Sequence, residues 1–209
     1  MRIGIDFDDT LTDWGVMLTS EAARRWDLDL AEVYRSGRTP ADHVGEQWRR
    51  LILDLMETEL SLALPVKPGA IEVTRSLAER HELVVLTARH EHECEFVAPW
   101  LREHDIPIDR VVFTNRAPKH TFASDLELGV HLDDTARVFD HFVDHTCASA
   151  LLLGSVFDRH EEPLAHVRSV ESWHLFADLV AELEQGVPPE VAAQHVEAAA
   201  RAADGTREG

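Results

Sequence analysis

Five short runs of apolar residues, each separated from the next by a longer stretch of helical or polar composition, limit what this chain can fold into. The runs are Ile3-Gly4-Ile5, Leu83-Val84-Val85-Leu86, Val111-Val112-Phe113, Val130-His131-Leu132 and Ala150-Leu151-Leu152-Leu153. Most are continuous rather than alternating, as in strands covered on both faces. Strands that alternate with helices specify an α/β fold built on a parallel sheet. Helices are expected over 70–80, 93–104, 121–128, 136–145 and 172–183, with Pro68-Gly69 and Gly129 as punctuation.

One interval breaks this rhythm. Between the first and second apolar runs lie some fifty residues without a convincing strand, too many for a simple connection. Two amphipathic helices are expected there, over 17–26 and 44–60, around the polar loop Arg35-Ser36-Gly37-Arg38-Thr39-Pro40. The expected organisation is an α/β core formed by 1–13 and 66–186, a helical insertion over 14–65, and a C-terminal helix or flexible tail over 187–209.

Composition narrows the partners. Twenty Lys+Arg stand against 39 Asp+Glu, a formal charge of −19. That balance disfavours nucleic-acid polymers and anionic membrane surfaces, which need a basic face. It does not exclude a small phosphorylated ligand, which needs only one local cationic pocket. Cys94 and Cys147 are too few for a disulfide framework. No apolar run of signal-peptide or membrane-span length is present, so a reduced, cytoplasmic protein is expected.

The densest chemical signal is Asp6-Phe7-Asp8-Asp9-Thr10-Leu11-Thr12, directly after the first strand. Crowded carboxylates repel one another and call for a cation, and oxygen-only ligands favour a hard ion such as Mg²⁺. A plain helix-capping turn is the alternative for that motif taken alone. A second acidic pair, Asp133-Asp134, follows the fourth run. In a parallel sheet the C-terminal ends of all strands share one edge, so both clusters meet there. Thr87 ends the second run at the same edge and offers a hydroxyl. Lys119 opens the helix after the third run and offers an ammonium beside a helix N-terminus.

With these residues in order, Asp6-x-Asp8-x-Thr10, Thr87, Lys119 and Asp133-Asp134, the sequence resembles the haloacid dehalogenase (HAD) superfamily of phosphohydrolases over residues 3 to about 153. The resemblance implies a Rossmann-like core carrying a small helical cap. It implies Asp6 as nucleophile, Asp8 as general acid and base, and Thr87 and Lys119 as phosphoryl holders. Mg²⁺ would be bound by the Asp6 carboxylate, the Asp8 carbonyl and Asp134, with Asp133 orienting a bound water or the lysine. Phosphate-ester chemistry is favoured over dehalogenation, whose members lack the second aspartate of the first motif.

Within the superfamily the sequence is similar to the 5′(3′)-deoxyribonucleotidase-like group. The matching features are Pro68-Gly69-Ala70, the run from Trp100 to Thr114, the modest insertion and the Asp-Asp form of the last motif. It departs from that group at Asp9, where glycine is usual, and at Thr87-Ala88-Arg89-His90. Phe7 and Trp14 are candidates to line a pocket for a base, and Arg38 or Arg89 to contact substrate anions. Trp48 precedes Leu51, Ile52 and Leu55 on one helical stripe and reads as packing. His90-Glu91-His92-Glu93-Cys94-Glu95 reads as an exposed, acidic first helical turn rather than a transition-metal site.

The expected function is therefore a Mg²⁺-dependent phosphomonoesterase of a small phosphorylated metabolite, nucleoside monophosphates being the first candidate class. The alternatives are a phosphotransferase or phosphomutase using the same aspartyl-phosphate, a phospho-acceptor signalling domain, and a catalytically silent ligand-binding relative. An oligomer remains open.

Overall fold

Strand β1 (Arg2–Ile5) is hydrogen-bonded in parallel on both sides, to β2 (Glu82–Thr87) and to β4 (Val130–Asp133). The computed structural model describes residues 1–143, 146–155 and 164–186; the expected tail over 187–209 lies outside them. Outward from this central pair, β3 (Arg110–Phe113) flanks β2, while β5 (Ala148–Leu152) and β6 (Val167–Val170) extend the other side. All pairings are parallel and the strand order is β3-β2-β1-β4-β5-β6. Connections leave β1 and β4 in opposite directions, which opens a crevice at their C-terminal ends.

Side chains that alternate along the strands divide between two cores. Ile3, Ile5, Leu83, Val85, Val130 and Leu132 enter the larger one. It is closed by α1 (Trp14–Trp26), α4 (Gln47–Glu57), α5 (Ala70–Ala78), α6 (Val97–Glu103) and α8 (Trp173–Glu184). Val84, Leu86 and Leu151 face the smaller one, under α7 (Lys119–Asp125) and the 3-10 stretch Ala136–His141. Covering both faces explains why the strands read as unbroken apolar runs.

The long interval after β1 leaves and rejoins the sheet through a narrow neck. Thr12 and Val66 form an antiparallel bridge, Asp13 N–H donates to Pro65 O at 2.7 Å, and Lys67 N–H donates to Leu11 O at 2.8 Å. Beyond the neck come α1, α2 (Leu30–Arg35), α3 (Pro40–Val44), α4 and the 3-10 turn Glu59–Ala63. Of the expected helix over 44–60, Gln47–Glu57 is helical as α4; Val44 closes α3, Gly45 follows it with a positive φ of 64°, and a 3-10 turn begins at Glu59. The expected loop over 35–40 is bracketed by α2 and α3, and Thr39 and Asp42 close a capping box. Trp48 is half-buried, while Leu51 and Leu55 below it are fully buried.

Elsewhere the expected helix over 136–145 is a 3-10 stretch, 144–145 lying outside the described residues. β6 carries no apolar run and was not expected. Among the described residues no helix is long and apolar enough to cross a membrane.

Candidate active site

Asp6, Thr87, Asp133 and Asp134 stand at or just after strand ends on the crevice edge, and Lys119 reaches them from the first residue of α7. Asp6 follows β1, and its N–H donates to Leu132 O at 2.8 Å, so β4 fixes the first residue of the motif loop. Asp133 is the last residue of β4 and Asp134 the next. Oxygens of Asp6, Asp133 and Asp134 all lie within 4.8 Å of one another, and all three side chains are buried. Lys119, the first residue of α7, bridges two of them: its Nζ is paired with Asp6 Oδ1 and donates to Asp133 Oδ2 at 2.6 Å. Thr87, the last residue of β2, is buried and accepts the Arg89 N–H at 3.2 Å.

The electrostatics are unbalanced in one direction. Burial, aided by the neighbouring Asp133, Asp134 and Asp8, pushes the Asp6 carboxyl well above its ordinary range against the opposing pull of Lys119. Burial and then Asp133 push Asp134 up to about 7. Burial alone would raise Asp133 as well, but Lys119 and His131 hold it down at about 2. Lys119 is raised, the attraction of Asp133 and Asp6 outweighing its burial. Three buried carboxylates thus share one ammonium. Oxygen donors, mutual spacing and excess negative charge all fit a divalent hard cation such as Mg²⁺.

Asp8 stands outside this trio and is paired with Arg89. Arg89 Nη2 donates to Asp8 Oδ1 at 2.7 Å and Nε to Oδ2 at 2.9 Å, a bidentate pair. Arg89 Nη1 donates to Ser61 Oγ and to Glu93 O, both at 3.1 Å. The guanidinium is fully buried and lies 5.0 Å from the centroid of the Phe7 ring. Arg89 therefore holds the Asp8 carboxylate and ties it to the 59–63 turn; it does not face an open pocket. Phe7 and Trp14, expected to line a base pocket, are 0% and 1% exposed and belong to the larger core. Phe7 packs edge-on against Trp100 with centroids 5.1 Å apart. Arg38 is exposed and donates to Asp42 O at 3.0 Å, holding its own loop. Phe7, Trp14 and Arg89 are packed against one another inside the protein, the guanidinium lying 5.9 Å from the Trp14 ring centroid, and Arg38 stands apart from them. A strand-end position predicts which edge a residue reaches but not which way its side chain turns.

The structure adds residues that the sequence reading left without a role. Ser155 Oγ donates to Asp134 Oδ2 at 2.6 Å, and Thr10 Oγ1 to Asp134 Oδ1 at 3.4 Å. His131 Nε2 lies 3.1 Å from Asp133 Oδ2. Its signal was available, since a histidine inside a buried strand two residues before an aspartate shares that aspartate's face. Trp173 Nε1 donates to Thr10 O at 3.0 Å, anchoring α8 on the motif loop.

At His90–Glu95, Glu91 and His92 are exposed, but Glu93 is buried, paired with Arg116 at 3.0 Å and accepting the His90 N–H at 2.7 Å. The turn is 3-10, Glu91–Glu93, and the Cys94 thiol donates to His90 O at 3.0 Å.

These features define a doubly wound α/β protein with a carboxylate–lysine centre at its switch point. No family model matches the sequence, and no curated protein is significantly similar to it. Solved structures are similar in fold. A HAD hydrolase from Bacillus subtilis, bound to magnesium, superposes with a TM-score of 0.54 at 9% identity, over 85% of this chain and 97% of that one. A protein described as a β-phosphoglucomutase from Thermotoga maritima gives 0.55 at 14% identity, over 87% and 99%. A haloacid dehalogenase-like hydrolase from Burkholderia xenovorans gives 0.55 at 18% identity, over 87% and 96%. The architecture of this chain is the HAD fold.

Proposed function

We propose that this chain is a Mg²⁺-dependent phosphomonoesterase of the HAD superfamily, acting on a small phosphorylated metabolite through an aspartyl-phosphate. The observation that carries the reading is the convergence of Asp6, Lys119, Asp133 and Asp134 in one buried cluster at the sheet's switch point. Nothing structural calls for so many charges there.

Asp6 attacks phosphorus: a bond forms from its carboxylate oxygen as the bond from phosphorus to the ester oxygen breaks. The leaving oxygen takes a proton from Asp8. Water then attacks the aspartyl-phosphate, giving its proton to Asp8, and phosphate leaves with Asp6 restored. Arg89 sets the orientation of Asp8 between these steps. Lys119 neutralises phosphoryl oxygens, and the Thr87 hydroxyl, its oxygen engaged by the Arg89 N–H, has its own proton to donate to them. Asp6, Asp134 and the Asp8 carbonyl would hold Mg²⁺, which supplies positive charge against the phosphoryl group when bound. The helices between β1 and β2 are proposed as the cap. Neither buried aromatic ring supports a base pocket, so the reading is of a phosphate ester without commitment to a nucleotide.

A panel of phosphate esters with and without Mg²⁺, run beside Asp6→Asn, tests this. The expected result is Mg²⁺-dependent phosphate release that falls by about a thousandfold or more in the variant. Full activity in Asp6→Asn, or no turnover of any ester, sinks the mechanism.

A further inference from the structure

A groove of about 310 Å³ opens beside the buried centre and shares Lys119 and Thr135 with it. Thr135 belongs to both, because its N–H donates to Asp133 at 3.0 Å while its residue lines the groove. Arg116, Arg137 and His141 complete the polar lining, which contains no carboxylate and no Phe, Trp or Tyr. In a chain with 39 acidic residues against 20 basic ones, a surface lined only by cationic and neutral groups is the opposite of what composition would place there.

The lining is held in place. Asn115 and Arg116 both have left-handed backbones, with φ of 52° and 64°, a costly conformation for two consecutive non-glycine residues. Glu91 N–H donates to Asn115 Oδ1 at 3.0 Å and Arg116 N–H to Ala88 O at 3.0 Å, so the loops after β2 and β3 fix each other. Arg116 Nη2 pairs with Glu93 and its side chain remains half-exposed. Among the described residues no carboxylate lies within ion-pair distance of Arg137, which is exposed at the groove.

We propose that this groove receives the leaving-group end of the substrate, and that this end carries a second anionic group, a carboxylate or a second phosphate, bound by Arg137 with Arg116 and His141. The inference rests on the phosphomonoesterase reading of the adjoining centre. A guanidinium recognises either anion through paired hydrogen bonds. The volume suits a small, non-aromatic metabolite.

The test is a matched three-carbon series: glycerol 3-phosphate, 3-phosphoglycerate and propane-1,3-diol bisphosphate, each assayed for turnover and for binding by calorimetry. p-Nitrophenyl phosphate serves as a general ester. One or both of the two-anion compounds are expected to exceed glycerol 3-phosphate by about tenfold in kcat/KM, through KM, and the one that does identifies the second anion. Arg137→Gln brings the series to near equality, whereas Arg102→Gln, which removes an exposed charge on α6, preserves the preference. Turnover of p-nitrophenyl phosphate with no preference in the series overturns this inference alone. A calorimetric preference lost in Arg137→Gln, without turnover of any ester, upholds the groove and overturns the hydrolase reading. Absence of both turnover and binding preference overturns both.

Discussion

Asp9 shows how one residue can break a sequence pattern and keep its geometry. Its φ is 56°, the left-handed conformation that glycine adopts without strain and that aspartate tolerates better than most residues. Its side chain supplies what glycine lacks: Oδ1 accepts from Lys67 Nζ at 2.7 Å and from Trp14 N–H at 3.0 Å. The departure from glycine in the first motif is therefore a substitution that ties the motif loop to the neck of the insertion. Asp9→Ala keeps the backbone strain and leaves the largely buried Lys67 only its longer pair with Asp13 at 3.8 Å, so a loss of about 1–3 kcal/mol is expected, with Asp9→Gly losing less. Chemical denaturation of the two variants measures the order, and an equal loss contradicts this account.

Asp134 makes a second residue-scale prediction. Its carboxyl is raised from an ordinary 3.8 to about 7. For a raised acid, the stabilising contribution is complete below the ordinary value and disappears as pH climbs through about 7. The metal-free protein therefore loses stability from this group across that interval. A cation needs the ionised carboxylate, so Mg²⁺ should raise the melting temperature more at pH 8 than at pH 5.5. Equal increments at both pH values argue against a cation in this cluster.

At the scale of elements, β1 is the most constrained. A Cβ built on Gly4 would meet Leu128 Cδ1 and, at 2.8 Å, His131 Nδ1. Gly4→Ala should cost about 1–3 kcal/mol by overpacking against β4, read from the urea midpoint. The insertion has its own clamp. Glu21 on α1 is 8% exposed and accepts from Arg24 and Arg25, and Arg25 reaches Asp54 on α4 at 2.6 Å. Hydrogen bonding from Arg24, and then Arg25, holds the Glu21 carboxyl down at about 2 although burial opposes it. A depressed acid stabilises above its ordinary value of 4.5 and loses that contribution as pH falls toward 2. Glu21→Gln should cost about 1–2 kcal/mol at pH 7 and much less near pH 2.5. A cost that stays constant with pH contradicts the clamp.

The same scale shows what sequence can convey. The first four expected strands fall within their observed spans, because strands buried on both faces must be apolar throughout. The fifth begins two residues before its expected start and ends one before its expected end, at Ala148–Leu152, since Ala148-Ser149 is too short and weakly apolar to signal pairing. β6 carries Arg168-Ser169 between two valines, as an edge strand with only one neighbour can. The site was legible as residues, because strand ends in a parallel sheet share an edge. The orientation of Arg89 was not. Its partners Asp8, Ser61 and Glu93 come from three separate loops and turns, and no spacing in the sequence encodes that meeting.

At the scale of the whole molecule, the −19 charge is unevenly used. Asp6, Asp133 and Asp134 concentrate carboxylates in a buried crevice, while Arg116, Arg137 and His141 line the groove beside it. Among the described residues most of the remaining acidic side chains are at least partly exposed, where their charge disfavours extended polyanions. On the proposed reading, a small anion would enter along this groove past positive charge before reaching the carboxylate cluster, whose charge a divalent cation would offset.

The most direct measurement is acid-quenched peptide mapping during turnover of a phosphate ester with Mg²⁺, using Asp8→Asn to slow hydrolysis of the intermediate. The account predicts one added phosphoryl group on the peptide that contains Asp6, absent without Mg²⁺ and absent in Asp6→Asn. Phosphate release with no modification at Asp6, or with the phosphoryl group on another residue, contradicts it.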